Sequence, residues 1–150
     1  MVKVIAFEKQ YEQKLINSAS LGLSQSELET LKHDLNNLSA DFEYLICLDE
    51  DDNVIGFSKT TPLEKGFLRI DYIYVQPNLR RDTNGSIILV AIMTRAVNRL
   101  IVGLLAFCDE QKSEALQFFK ARGFTCFSVE NNIHAFTKSL IHMYKTNHHE

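Results

Sequence analysis

A chain of 150 residues that is 45% hydrophobic is long enough for one domain, residues 1–150, with a sizeable core. Its formal net charge of −3 excludes a generic nucleic-acid binder, because a phosphate backbone rewards clustered positive charge. No run reaches the roughly 18 unbroken apolar residues of a membrane span, and Cys47, Cys108 and Cys126 lie in apolar runs without metal-ligand spacing, so the expectation is a cytoplasmic protein with reduced thiols, no metal and no membrane partner.

Residues 2–7 alternate as a first strand, and 8–18 place Tyr11, Leu15 and Ile16 at helical spacing. Ser24-Gln25-Ser26-Glu27 reads as a capping box opening a second helix that carries Leu28, Leu31, Leu35 and Leu38. Residues 42–48 and 54–60 are β-like and flank the turn 49–53, which makes a hairpin. The acidic turn lacks the Gly and the downstream Glu of a calcium loop and reads as solvated. A turn over 62–66 leads into 67–75, a run rich in aromatic and β-branched residues.

The stretch 75–86 then turns through Arg80, Arg81 and Gly85 into an apolar helix over 86–96. A strand that passes through a basic, Gly-containing loop into a helix N-terminus presents unpaired N–H groups and a positive dipole end to an anion. Such a loop can hold phosphates. Residues 100–108 read as a continuous apolar strand covered on both faces, and 109–122 as a helix ended by Gly123. Residues 124–129 and 133–140 form a last hairpin, and 141–150 are expected to be a flexible tail. The order is β-α-α-β-β-β-α-β-α-β-β.

The loop and two later motifs give the chain a family resemblance. Val75, Pro77, Arg80 and Gly85 follow the spacing Val-x-Pro-x-x-Arg-x-x-Gly-x-Gly/Ala, with Thr83 where the first Gly is usual. Ala115, Phe118, Gly123 and Phe124 follow Ala-x-x-Phe-Tyr-x-x-x-Gly-Phe, with Phe119 in the Tyr position and Lys112 where Asn is common. Residues 136–140 are similar to a closing strand. In this the chain resembles the GCN5-related N-acetyltransferase superfamily over nearly its whole length.

The resemblance implies an α/β (α+β) fold, a mixed, mostly antiparallel sheet of about seven strands flanked by about four helices. It also implies acetyl-CoA as co-substrate. The phosphates would lie on Arg80, Arg81, Asp82, Thr83, Asn84, Gly85 and Ser86, the pantetheine arm along Ile73 and Val75, and Phe119 beside the sulfur. Asp71 shares a strand face with Ile73 and Val75, and as a carboxylate in a cleft it is a candidate general base. Its alternative is a structural ion pair with Arg69. For the acid, Tyr72, Tyr74, Cys108, water or no group at all stay open.

Two functions follow: transfer of an acetyl group to a primary amine by direct attack in a ternary complex, or a non-catalytic acyl-CoA-binding or regulatory module. The departures at Thr83, Phe119 and Lys112 motivate the second. The acceptor, a small molecule or peptide amine, would be bound by residues 8–38 and the final hairpin. An unpaired edge strand offers a route to a homodimer.

Overall fold

The computed structural model describes residues 1–80 and 83–147. The elements are β1 (Lys3–Ala6), α1 (Glu12–Ala19), α2 (Gln25–Asn36), β2 (Glu43–Leu48), β3 (Val54–Pro62), β4 (Phe67–Val75), α3 (Asn84–Asn98), β5 (Gly103–Asp109), α4 (Ser113–Ala121), β6 (Thr125–Glu130), β7 (Ile133–Ser139) and α5 (Ile141–Asn147). The seven strands form one sheet in the order β1-β2-β3-β4-β5-β7-β6, mixed α/β and mostly antiparallel, as the sequence predicts. Its parallel step is the pairing of β4 with β5. The chain forms two compact units, 1–60 with 72–92, and 61–71 with 93–150.

In the first unit the local signals in the sequence act as read. Ser24 accepts from the Glu27 backbone N–H while Glu27 accepts from the Ser24 backbone N–H, which satisfies two otherwise orphaned donors at the start of α2. Asp49 Oδ1 accepts from the N–H groups of Asp51 and Asn53, both at 2.9 Å, and so shapes the β2–β3 turn. The apolar stripes of α1 and α2 (Leu15, Ala19, Leu31, Leu35) pack with Tyr44, Ile46, Phe57 and Tyr74.

Gly56 on β3 sits against the end of β4. A Cβ there would lie 2.6 Å from the Tyr74 carbonyl oxygen and 3.2 Å from Ile88 Cδ1, so the absent side chain permits the close approach.

In the second unit Gly123, at φ +86°, closes α4 as expected. Phe119 is 5% exposed and packs against Phe124 at 4.9 Å and Phe136 at 6.1 Å between ring centroids.

Two expectations change here. Residues 100–102 are not strand: Ile101 N–H donates back to Ala96 and Leu100 N–H to Val97, a C-terminal cap on α3 with Leu100 at φ +63°. The apolar run conceals this, because the cap position carries Leu in place of the usual Gly. Leu100 is 76% exposed, so its side chain gains little from burial while its backbone is strained. Leu100→Gly is therefore expected to raise stability by about 1 kcal/mol, read as a shift in the chemical-denaturation midpoint. In place of a tail from residue 141 there is α5, and Tyr144 donates its hydroxyl hydrogen to the carbonyls of Ile101 and Val97. The rest of that expected tail, 148–150, lies outside the described residues.

Candidate functional site

Strand β4 pairs with β5 over only four residues, from Phe67↔Gly103 to Ile70↔Ala106. Beyond that point β5 continues to Asp109, paired with β7 on its other side. Asp71 and Phe107 are thus the first residues past the parallel pairing. With Arg69 and Ile70 they line a cleft of about 250 Å³. A parallel pair that comes apart leaves strand backbone and one strand face available to a ligand, in a volume at the lower end of ordinary small-molecule sites.

The chemistry of this cleft comes from Asp71. Its Oδ1 accepts from Arg69 Nε at 2.7 Å, and its Oδ2 accepts from Thr61 Oγ1 at 2.6 Å. The ion-pair alternative named from the sequence is therefore present, and Thr61 adds a second donor that the sequence did not single out. Both bonds fix the carboxylate in one orientation. Phe107, 47% exposed, forms an apolar wall beside it, whereas the sequence placed it in a fully covered strand. Nothing in an unbroken apolar run distinguishes a wall residue from a core residue.

The residues of the loop expected to hold phosphates lie in the first unit. Val75 is buried at the end of β4, Ile73 is half-buried, and the Gln76 N–H donates to the Ile55 carbonyl. A short turn over Pro77–Leu79 brings the chain to Arg80. Arg80 Nε donates to the Val75 carbonyl at 2.7 Å, and its guanidinium lies over the Tyr74 ring at 5.6 Å. Arg80 thus braces the loop against the strand it leaves, a task beyond the phosphate charge expected of it. Arg81 and Asp82 lie outside the described residues.

The helix begins at Asn84, slightly ahead of the expected start at Ser86. Thr83 caps it through its carbonyl, which accepts from Ile87 N–H at 3.0 Å. Asn84 is buried and donates from Nδ2 to the Leu79 carbonyl, tying the helix start to the turn. Gly85 and Ser86 fill the rest of the first turn, where small side chains leave helix N–H groups approachable by an anion. A helix start of this kind suits an anion.

The candidate acids are otherwise engaged. Tyr72 donates its hydroxyl hydrogen to Tyr44, and Tyr74 donates to the Ser18 carbonyl at 2.7 Å. Burial pushes the Cys108 thiol up to about 11, against the opposing charge of Lys112. Phe119 lies in the aromatic cluster described above and has no proton to give. Among the described residues no group of three or more His, Cys, Asp or Glu could hold a metal ion, and no helix is long and apolar enough to cross a membrane.

A sequence model of the Acetyltransferase (GNAT) family matches residues 10–124. No curated protein sequence matches significantly. Among solved structures, a GNAT-family protein from Desulfovibrio desulfuricans superposes with a TM-score of 0.82 at 14% identity, covering 93% of this chain and 99% of that one. The PaiA N-acetyltransferase from Thermoplasma acidophilum, in complex with coenzyme A, gives 0.74 at 14% identity over 93% and 99%. The ribosomal-protein-S18-alanine N-acetyltransferase from Escherichia coli gives 0.75 at 12% identity over 93% and 94%. At these identities the likeness is one of fold.

Proposed function

The chain belongs to the GNAT acetyltransferase family, which uses acetyl-CoA, and from that premise we propose that it transfers an acetyl group from acetyl-CoA to a primary amine. The observation that carries this reading is the end of β4–β5 pairing at Ile70 and Ala106, with the Asp71 carboxylate in the cleft just beyond. In this reading the first turn of α3, with Gly85 and Ser86, receives the pyrophosphate, and Arg80 holds the loop in place. Ile73 and Val75 supply strand backbone for the pantetheine arm.

Asp71 is the general base, directly or through one water. It takes a proton from the ammonium form of the acceptor, the freed amine attacks the thioester carbonyl, and as the C–S bond breaks the nitrogen gives its second proton to solvent. Arg69 and Thr61 hold the carboxylate in place and are positioning residues. No side chain is assigned as acid, and the departing thiolate takes its proton from solvent. The acceptor is a small molecule or peptide amine, and Phe107 gives the cleft an apolar wall suited to the carbon chain that bears the nitrogen.

The second reading, a non-catalytic acyl-CoA-binding module, draws on Phe119, which offers no hydroxyl, and on the double pairing of Asp71. Two measurements separate them. Calorimetry with acetyl-CoA is expected to show binding, and thiol release from acetyl-CoA is expected to rise with at least one member of an amine panel. Binding without thiol release on any amine selects the second reading, and no binding heat at high acetyl-CoA concentration removes both.

A further inference from the structure

The three cysteines differ sharply in their surroundings. Cys47 is fully buried, and burial together with the nearby Asp49 charge pushes its thiol up to about 11. Cys108 is buried too and is pushed up to about 11. Cys126 is only half-buried. On β6 it is followed by a bulge, with Cys126 opposite Phe136 and Ser128 opposite Ala135. Bulges re-aim side chains, and here the cysteine shares a face with the next residue but one of β7, His134.

Cys126 Sγ lies 4.0 Å from His134 Nδ1 and 3.5 Å from the Ser128 carbonyl, so the thiol hydrogen has two acceptors. His134 Nε2 lies 3.4 Å from Glu110 Oε1. The tautomer both partners favour carries its hydrogen on Nε2, donates to Glu110 and leaves the Nδ1 lone pair facing the sulfur. The ring stacks on Phe136 at 6.3 Å, which holds its plane. Thiol, imidazole and carboxylate in this order form a proton relay, with distances at the loose end of those found before a reactant arrives.

We infer that Cys126 is the reactive thiol of this chain, a modification site for small electrophiles and hydroperoxides, with His134 as its proton acceptor and Glu110 as the positioning residue. With a hydroperoxide, the thiol proton passes to His134 Nδ1 and sulfur attacks the terminal peroxide oxygen. An S–O bond forms and the O–O bond breaks. The leaving oxygen takes the proton back from His134, giving a sulfenic acid and water, or an alcohol. Sulfur loses two electrons and the peroxide gains them.

Cys108 lies across β5–β7 from His134, and Lys112 acts on Cys108. Because β7 runs between β5 and β6 and the two cysteines sit opposite His134 and Phe136, two residues apart along it, their backbones are about 12 Å apart, too far for a disulfide without strand movement. The sulfenic acid is therefore the product expected within one chain.

The test is alkylation of the full chain with iodoacetamide, with each cysteine followed by peptide mass spectrometry. Here the S–C bond forms as C–I breaks and iodide leaves. Cys126 is expected to react well before Cys47 and Cys108. His134→Ala is expected to slow it about tenfold at neutral pH. Glu110 is more than half exposed, so Glu110→Gln tests the same relay without risk to folding, and it too should slow the reaction. Hydrogen peroxide followed by dimedone should label Cys126. Equal rates in the parent chain and in both variants, or labelling of Cys47 or Cys108 ahead of Cys126, would overturn the assignment.

Discussion

Asp71→Asn is expected to lower kcat by about two to four orders of magnitude, the usual contribution of a positioned general base. The substitution is nearly isosteric: its oxygen can still accept from Arg69 Nε, while the amide nitrogen that replaces Oδ2 donates to Thr61 Oγ1, a hydroxyl able to accept as well as donate. What disappears is the capacity to take a proton. A base must be unprotonated to act, so the pH profile of the variant's residual activity should differ in shape from that of the parent chain. A purely structural Asp71 would behave differently. Loss of its charge would leave Arg69 unmatched and lower stability, but the pH profile of the remaining activity would keep its shape. Turnover and profile both unchanged in Asp71→Asn would remove the base assignment, and parallel measurement of kcat and KM locates the loss in chemistry or in binding.

The same residue shows where the sequence was informative and where it was not. Asp71, Arg69 and the strand they share could be read directly, because period-two alternation fixes which residues lie on one face. The Ser24 capping box, the Asp49 turn and Gly123 could be read for a similar reason: each is a local arrangement whose backbone need selects the residue type. Thr61 and Phe107 could not. Their roles arise where a strand pair ends, and that end is set by the pairing of β4 and β5, elements separated by a whole helix in the chain. Leu100 misled for the opposite reason, since an apolar residue at a left-handed cap carries the composition of a strand. The loop over 75–86 falls between these cases. Its residues are implied by the family resemblance, but the turn of Arg80 back onto Val75 is a tertiary choice among several acceptors.

Phe57→Ala should be the most damaging single core change in the first unit, costing about 3–5 kcal/mol. The side chain is fully buried, with ring centroids 4.8 Å from Tyr74, 5.8 Å from Tyr72 and 6.4 Å from Tyr44. Truncation removes the transfer energy of the ring, opens a cavity under α1 and α2, and deletes three aromatic contacts worth about 0.5–1.5 kcal/mol each. The polar chain beside it cannot compensate. Tyr72 donates to Tyr44, Tyr44 donates to Asp34 at 2.6 Å, and Lys59 pairs with Asp34 at 2.8 Å. Burial, with Tyr72 and Asp34 alongside, pushes the Tyr44 hydroxyl up, so it stays a neutral donor. Each of these bonds contributes on the order of 1 kcal/mol net, and only while the rings that carry the hydroxyls are held in register. Phe57→Leu keeps most of the volume and should cost roughly half as much. Urea denaturation of the two variants tests the ranking, and a loss below about 1 kcal/mol in Phe57→Ala would mean that the cluster is not the unit's centre of stability.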